Sequence, residues 1–268
     1  MGNAPTHRRP AGTAALLLVV PLVLAACTAT DEPGPGPSTT APSSSTQAPP
    51  SSSGRPTGST GSPTAPPLTG PLPFFSEQEL AAAATEIAAD HPGSRVRTAQ
   101  EISSLAVSGR KLLDDMDITP AKCAPFMDNQ DATLPPSAAI ASVTIPGGAV
   151  DSETSISLAA YPQPRDAAQA VSRTTALLRS CGTFTLQLGS TEGTATLKRG
   201  TAGSDAQTTA AYWMDVAAGQ QGVASYTVSG SDGAVVVSVT TRDDREADIV
   251  PDDVAATLDE ALTALRSR

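Results

Sequence analysis

Hydrophobic and polar positions from Phe75 onward follow two periods, and each period marks a kind of element. Phe75-Ser76-Glu77-Gln78-Glu79-Leu80 places Ser76 at an N-cap with Glu79 three residues on and Phe75 against Leu80 as a staple, which predicts a helix over about 77–90. His91-Pro92-Gly93 ends it, because proline and glycine cannot continue the ladder, and leaves His91 at an exposed helix terminus. A second helical stretch covers about 98–113 with Gly109 as a candidate break. Thr119-Pro120 then reads as the N-cap and first residue of a short helix that carries Cys123.

The period next falls to two. Ala141, Val143 and Ile145 alternate with polar neighbours, as do Ile156, Leu158 and Ala160, giving two half-buried strands joined around Pro146-Gly147-Gly148. Ala167, Ala170, Val171, Thr174, Leu177 and Leu178 restore the helical spacing over about 165–180, and Cys181 continues their stripe. Five more strands follow, centred on Phe184–Leu188, Ala195–Leu197, Tyr212–Val216, Ala224–Val228 and Val235–Val239, with Ser231-Asp232-Gly233 as the last hairpin turn. A final helix starts at Pro251 with Asp252 and Asp253 in its first turn, and Val254, Leu258, Ala261, Leu262 and Leu265 form its stripe. Short turns make the strands antiparallel, and one-sided helices must pack on them. The fold class is therefore α+β, a twisted antiparallel sheet with flanking helices, preceded by a disordered tether.

Composition separates that tether from the domain. Of the 268 residues, positions 28–73 hold 12 of the 24 prolines, and every aromatic residue lies at or after Phe74. Such a segment cannot bury enough apolar surface to offset its chain entropy. Upstream, His7, Arg8 and Arg9 precede an apolar run from Ala14 to Ala26, too short to span a bilayer and shaped like an export signal. Leu24-Ala25-Ala26-Cys27 resembles the lipobox of bacterial lipoproteins, in which the cysteine thiol carries a diacylglycerol and becomes the new N-terminus. The expected organisation is a signal peptide over 1–26, a Pro/Ser/Thr/Gly-rich linker over 27–73 and one folded domain over 74–268. Two or three acyl chains on Cys27 would hold the protein to the extracytoplasmic face of the cell membrane. The linker would reach roughly 40 Å as a flexible chain and about 140 Å fully extended as polyproline helix.

Charge narrows the partners. Cleavage after Ala26 removes two arginines and no acid, so the net charge of −10 becomes −12. Nucleic acid requires a concentrated basic patch, and the scattered Lys and Arg form none, so nucleic acid is excluded as a partner. The membrane is then a partner only through the lipid on Cys27, and the domain is left to meet a small envelope molecule or a protein.

Cys123 and Cys181 are the remaining thiols of an exported chain, and an even pair in an oxidising compartment predicts a disulfide. A redox-active pair usually takes Cys-x-x-Cys spacing, which is lacking. Lys122-Cys123-Ala124-Pro125, the passage Ser157-Leu158-Ala159-Ala160-Tyr161-Pro162 through Asp166-Ala167-Ala168-Gln169-Ala170 to Ser180-Cys181, and the later Trp213 strand resemble the extracellular sensor domain of mycobacterial PknH-type Ser/Thr kinases, which free actinobacterial lipoproteins also carry. The resemblance covers about residues 112–267. It implies a sheet with flanking helices around a cleft for an envelope ligand and no catalytic residues. Family members often have a second cysteine pair in the last strands, and residues 222–241 contain no cysteine.

Sharper chemistries find little to stand on. Ser108-Gly109-Arg110-Lys111 fits Ser-x-x-Lys, the nucleophile pattern of penicillin-recognising hydrolases, but the accompanying Lys-Thr-Gly and Ser-Asp-Asn elements are absent. A Ser-His-Asp triad would have to use His91. Asp243, Asp244, Glu246, Asp248, Asp252 and Asp253 could offer oxygen ligands to calcium, yet no EF-hand spacing supports them and a solvated loop feeding a helix explains the same residues. No metal or cofactor is expected. Of the few aromatic platforms, Tyr161 and Trp213 are the candidate ligand contacts, and Tyr212 and Trp213 must point to opposite faces of one strand. The reading is a non-catalytic, sensor-type binding lipoprotein; the alternatives are an envelope hydrolase, using either Ser108 and Lys111 or a pair of carboxylates whose separation only the tertiary fold sets, and a structural scaffold.

Overall fold

The computed structural model describes residues 68–128, 137–148, 152–219 and 221–268. The export segment, Cys27 and the linker up to Pro67 lie outside the described residues. Five α-helices accompany nine strands among those described: α1 (Glu77–Ala89), α2 (Ala99–Asp114), α3 (Ala124–Asp128), α4 (Pro164–Ser180) and α5 (Pro251–Arg266). The strands are β1 (Arg95–Arg97), β2 (Met116–Thr119), β3 (Ala139–Pro146), β4 (Glu153–Ala160), β5 (Thr183–Leu188), β6 (Thr191–Arg199), β7 (Thr208–Ala218), β8 (Gln221–Asp232) and β9 (Val235–Asp243). They form one antiparallel sheet in the order β1-β3-β4-β9-β8-β7-β6-β5-β2. The meander β5 to β9 and the hairpin β3–β4 are joined by the β4–β9 pairing.

Both capping boxes form as the sequence dictates locally. Ser76 caps α1 reciprocally with Glu79, and Thr98 caps α2 with Glu101. Gly109 lies within α2 and does not break it. Thr119 is extended, pairing with Thr185 of β5, so it is not an N-cap. Pro120 then stays outside the short helical stretch, a 3₁₀ turn over Ala121–Cys123, and its carbonyl accepts the Cys123 N–H at 2.9 Å. The last hairpin turns at Gly233-Ala234, later than the Ser231-Asp232-Gly233 reading, because Ser231 and Asp232 remain paired to Val236 and Val235.

Alternation gives the sheet two differently covered faces. On one, Leu80, Ala83, Ala84 and Ile87 of α1 and Leu258, Leu262 and Leu265 of α5 pack on Val143, Ile156, Leu158, Val228, Val237 and Val239. On the other, Phe126 of α3 and Leu178 of α4 pack on Phe184, Leu186, Leu197, Tyr212 and Met214 at the β5–β7 end. Further along that second face, Ala167 and Val171 of α4 meet Ala159, Ala210 and Val236. The disulfide Cys123–Cys181 sits in the cluster under α3, with its Cα atoms 5.5 Å apart, and ties the 3₁₀ turn to the end of α4.

The folded unit begins before Phe74. Leu68 N–H donates to the Arg266 carbonyl at 2.8 Å, and Leu72, 1% exposed, accepts from Ala234 N–H at 2.8 Å. Composition and the first aromatic residue put the boundary at Phe74, but Leu72 has apolar surface to bury and a turn to dock against. Gly233 takes φ +54° at that turn, and a Cβ there would overlap the Leu72 backbone.

Candidate functional site

Topology creates one unusual passage. β1 and β2 occupy opposite edges of the sheet, and α2 is the element that connects them. A sixteen-residue helix is about 24 Å long. Nine strands laid flat would span about 38 Å at the usual spacing. With the extended residues that join it to β1 and β2, α2 is long enough to cross one side of the sheet from edge to edge.

That side is the α4 face. Val96 packs in the α1/α5 core, so Arg95 and Arg97, its alternating neighbours, point the opposite way. Arg95 lies 3.9 Å from Glu101 in the first turn of α2, and Leu112 and Leu113 at the far end rest on the cluster of Phe184 and Leu186. Between these abutments Ile102, Leu105, Ala106 and Gly109 form a half-buried stripe, and α2 has no fully buried residue. The helix is anchored at both ends, and the inner side of its middle is half-buried.

Beneath it the strand register assembles a block of hydroxyls. From Arg97 one row runs across the sheet through Ser142, Ser157, Ser238 and Ser229. From Arg95 the adjacent row runs through Thr144, Ser155, Thr240 and Thr227. Ser229 pairs with Ser238 at 2.8 Å and Thr227 with Thr240 at 2.9 Å. Ser155, Ser157, Ser238 and Thr240 are half-buried, so the centre of the block remains accessible. The flank beyond the threonine row carries Glu153 and Arg242, ion-paired at 3.3 Å. The flank beyond the serine row is apolar, with Ala159 and Val236 leading to Tyr161 under α4.

Arg97 is the electrostatic feature of this floor. It is only 7% exposed, its Nη1 donates to Thr144 Oγ1 at 2.9 Å, and its Nε is buried with no hydrogen-bond partner. Tyr161 is almost buried, and that burial raises its phenol pKa, with Arg173 opposing more weakly. Its hydroxyl therefore remains a neutral donor and acceptor at physiological pH.

The two aromatic candidates are not brought together. Tyr161 borders the hydroxyl block, whereas Trp213 packs on the α1/α5 side of the sheet with its ring centroid 4.7 Å from that of Tyr226. No single ligand touches both. The Tyr226 hydroxyl is already used, donating to the Thr201 carbonyl at 2.6 Å, although burial raises its pKa as well.

The other sequence candidates are dispersed. Ser108 is exposed on α2 and its hydroxyl donates to the Ser104 carbonyl rather than to Lys111. His91 is half-buried rather than exposed, because α5 packs beside the end of α1 and sets Glu260 3.9 Å from its Nε2, on the side of the sheet away from the hydroxyls. In the acidic run, Arg245 pairs with Asp243, Asp244 and Asp248, and its backbone N–H holds the Asp243 carboxylate below the usual range. Among the described residues no cluster of His, Cys, Asp or Glu is arranged to hold a metal, and no helix is long and apolar enough to cross a membrane.

Sequence reasoning overlooked Arg97 and the hydroxyl rows. The signal was present: the polar positions of Ala139–Thr144, Ser155–Leu158, Ser225–Ser229 and Val235–Thr240 are all Ser or Thr, where a solvated face would mix in Lys and Glu.

No protein-family model matches this chain, and no curated protein matches it in sequence. Among solved structures it is similar to the extracellular domain of PknH from Mycobacterium tuberculosis, at 14% identity and a TM-score of 0.47, covering 70% of this chain and 96% of that one. It is also similar to an uncharacterised protein of Mycobacterium smegmatis, at 15% identity and a TM-score of 0.41, with the same coverage.

Proposed function

We propose that this chain is an extracytoplasmic lipoprotein whose domain binds a small polar envelope molecule in the hydroxyl-lined cleft under α2 and does not transform it. The observation that carries this reading is the block of eight serines and threonines, accessible at its centre and bordered by a guanidinium on one edge and a tyrosine-capped apolar strip on one flank. Hydroxyls both donate and accept, so such a floor suits a ligand rich in hydroxyl or amide groups. Among the described residues its one flanking carboxylate, Glu153, is engaged by Arg242 at 3.3 Å, which suits a binding floor better than a general base.

The leader and Cys27 supply the location. Acylation of Cys27 and the Pro-rich tether would let the domain sample the layer outside the membrane while a net charge of −12 keeps it off the anionic lipid surface. Incorporation of an alkyne fatty acid in the host, lost in Cys27→Ala, tests the anchor.

The binding reading is tested by native mass spectrometry of the mature chain released from host membranes. A co-purifying mass that is absent from Ser157→Phe, a variant that fills the centre of the hydroxyl block, is the expected result. An empty wild-type protein that also ignores peptidoglycan fragments and envelope glycolipids would overturn it.

A further inference from the structure

Resting on that reading, we infer that the cleft recognises an oxyanion: Arg97 forms a subsite for a carboxylate or phosphate group borne by a hydroxyl-rich ligand. A guanidinium offers five N–H donors. In this structure Nη1 is committed to Thr144 Oγ1 and Nε to nothing, although the residue is 93% buried. Burying a charge without a partner is costly, and such groups are ordinarily paired with an acid. Among the described residues no carboxylate lies within ion-pair distance of Arg97. The opposing charge it feels is Glu101, beyond ion-pair distance, whose exposed carboxylate also accepts from the Thr98 N–H at 2.8 Å and lies 3.9 Å from Arg95. The Nε–H, buried and without a hydrogen-bond partner, is thus left for a ligand.

Position supports the same conclusion. The guanidinium lies over β3 between Ser142 and Thr144, and Ser155 and Ser157 are the next hydroxyls inward. An oxyanion held there would place the rest of the molecule along the serine and threonine rows. Arginine also fits a planar carboxylate or a phosphate in two-point geometry, which lysine cannot match.

The experiment follows the Arg97 Nε–H resonance of the mature chain during titration with inorganic phosphate, glucuronate or glucose. A saturable shift with phosphate, glucuronate or both is expected, and the pair distinguishes the phosphate from the carboxylate source. Arg97→Gln should weaken the effective anion about ten- to hundredfold, the loss expected for charge-assisted hydrogen bonds. Arg97→Lys should recover the charge and only part of the affinity. An unmoved resonance with both anions, or equal anion affinity in Arg97→Gln, would overturn the subsite. The thermal midpoint of Arg97→Met separates a ligand role from a structural one: without anion it should equal or exceed wild type, and a drop of several degrees would show that Arg97 serves the fold. If the host-derived ligand co-purifies equally with Arg97→Gln, the oxyanion subsite fails while the binding cleft stands.

Discussion

Removing the Cys123–Cys181 bridge tests how the far end of α2 is supported. The bridge spans 58 residues, and closing a loop of that length in the unfolded chain is worth about 4 kcal/mol in the chain-entropy model. For a domain of this size each kilocalorie shifts the thermal midpoint by about 2–4 °C, so reduction or Cys123→Ala/Cys181→Ala should lower it by about 8–16 °C. The loss should also be local. Both cysteines are buried in the cluster that receives Leu112 and Leu113, which is the far support of α2. Hydrogen exchange should therefore accelerate over the second half of α2 and over α3 well below the midpoint, while α1 and α5 on the opposite face keep their protection. Differential scanning calorimetry of oxidised and reduced protein, paired with exchange mass spectrometry, measures both effects. A midpoint unchanged by reduction would refute the loop-entropy magnitude, and unchanged exchange across α2 would refute its dependence on the disulfide cluster.

Three other perturbations have definite expected outcomes. Arg266→Gln leaves Asp232, whose side chain is only 4% exposed, without the charged partner it holds at 2.8 Å, and because Arg266 itself is 31% exposed should cost about 1–3 kcal/mol in urea unfolding, part of which Asp232→Asn restores. The carboxyls of Glu79, Glu101 and Asp243 are all held below their usual range, the first two mainly by the backbone N–H of their capping partners and the third by the Arg245 N–H. Their stabilisation is present above their unfolded values near 4 and is lost as pH falls through the lower folded values, so the midpoint should decline below about pH 4; Ser76→Ala, costing about 1 kcal/mol at neutral pH, should remove only the smaller, hydroxyl part of Glu79's share, because the N–H of residue 76 persists. Gly233→Ala puts a Cβ where the Leu72 backbone lies and strains a positive φ, so it should cost at least about 1 kcal/mol and raise hydrogen exchange over residues 68–73.

The central elements were legible because each carries a repeated stripe. Ser76 and Glu79 announced α1, Pro251 with Asp252 and Asp253 announced α5, and the alternations in β3, β4 and β5 to β9 set both strand and face. The edge strands were not legible. Arg95-Val96-Arg97 offers a single apolar residue between two charges, and Met116-Asp117-Ile118-Thr119 offers two, so neither has enough repeats to establish a period. Missing them concealed the consequence that matters, because only the placement of β1 and β2 at opposite edges obliges α2 to cross the sheet. The hairpin turn was misplaced for a related reason. Ser-Asp-Gly is a strong local turn signal, but Asp232 stays in β8 opposite Val235 while its side chain pairs with Arg266, a contact made between distant segments.

The hydroxyl rows show why polar alternation is an incomplete guide to solvent. A strand position that is not apolar is ordinarily assigned outward, and Ser142, Ser157, Thr227 and Ser238 were passed over on that basis. Hydroxyls, unlike lysine or glutamate, can lose water cheaply when neighbouring strands bring them into register, as Ser229 with Ser238 and Thr227 with Thr240 demonstrate. A sheet face made of them tolerates partial cover, and α2 supplies it. The two aromatic candidates lie on opposite faces: Trp213 packs with Tyr226 on the α1/α5 side, and Tyr161 closes the apolar strip under α4. What distinguishes this face from a solvated one is the kind of polar residue rather than its spacing: four adjacent strands with Ser or Thr at eight registered positions and an arginine ending each row. A Ser157→Lys/Thr240→Glu pair would return the face to the charged composition of an ordinary solvated sheet, and its cost in binding, with the fold retained, would measure how far the hydroxyls belong to the ligand rather than to the sheet.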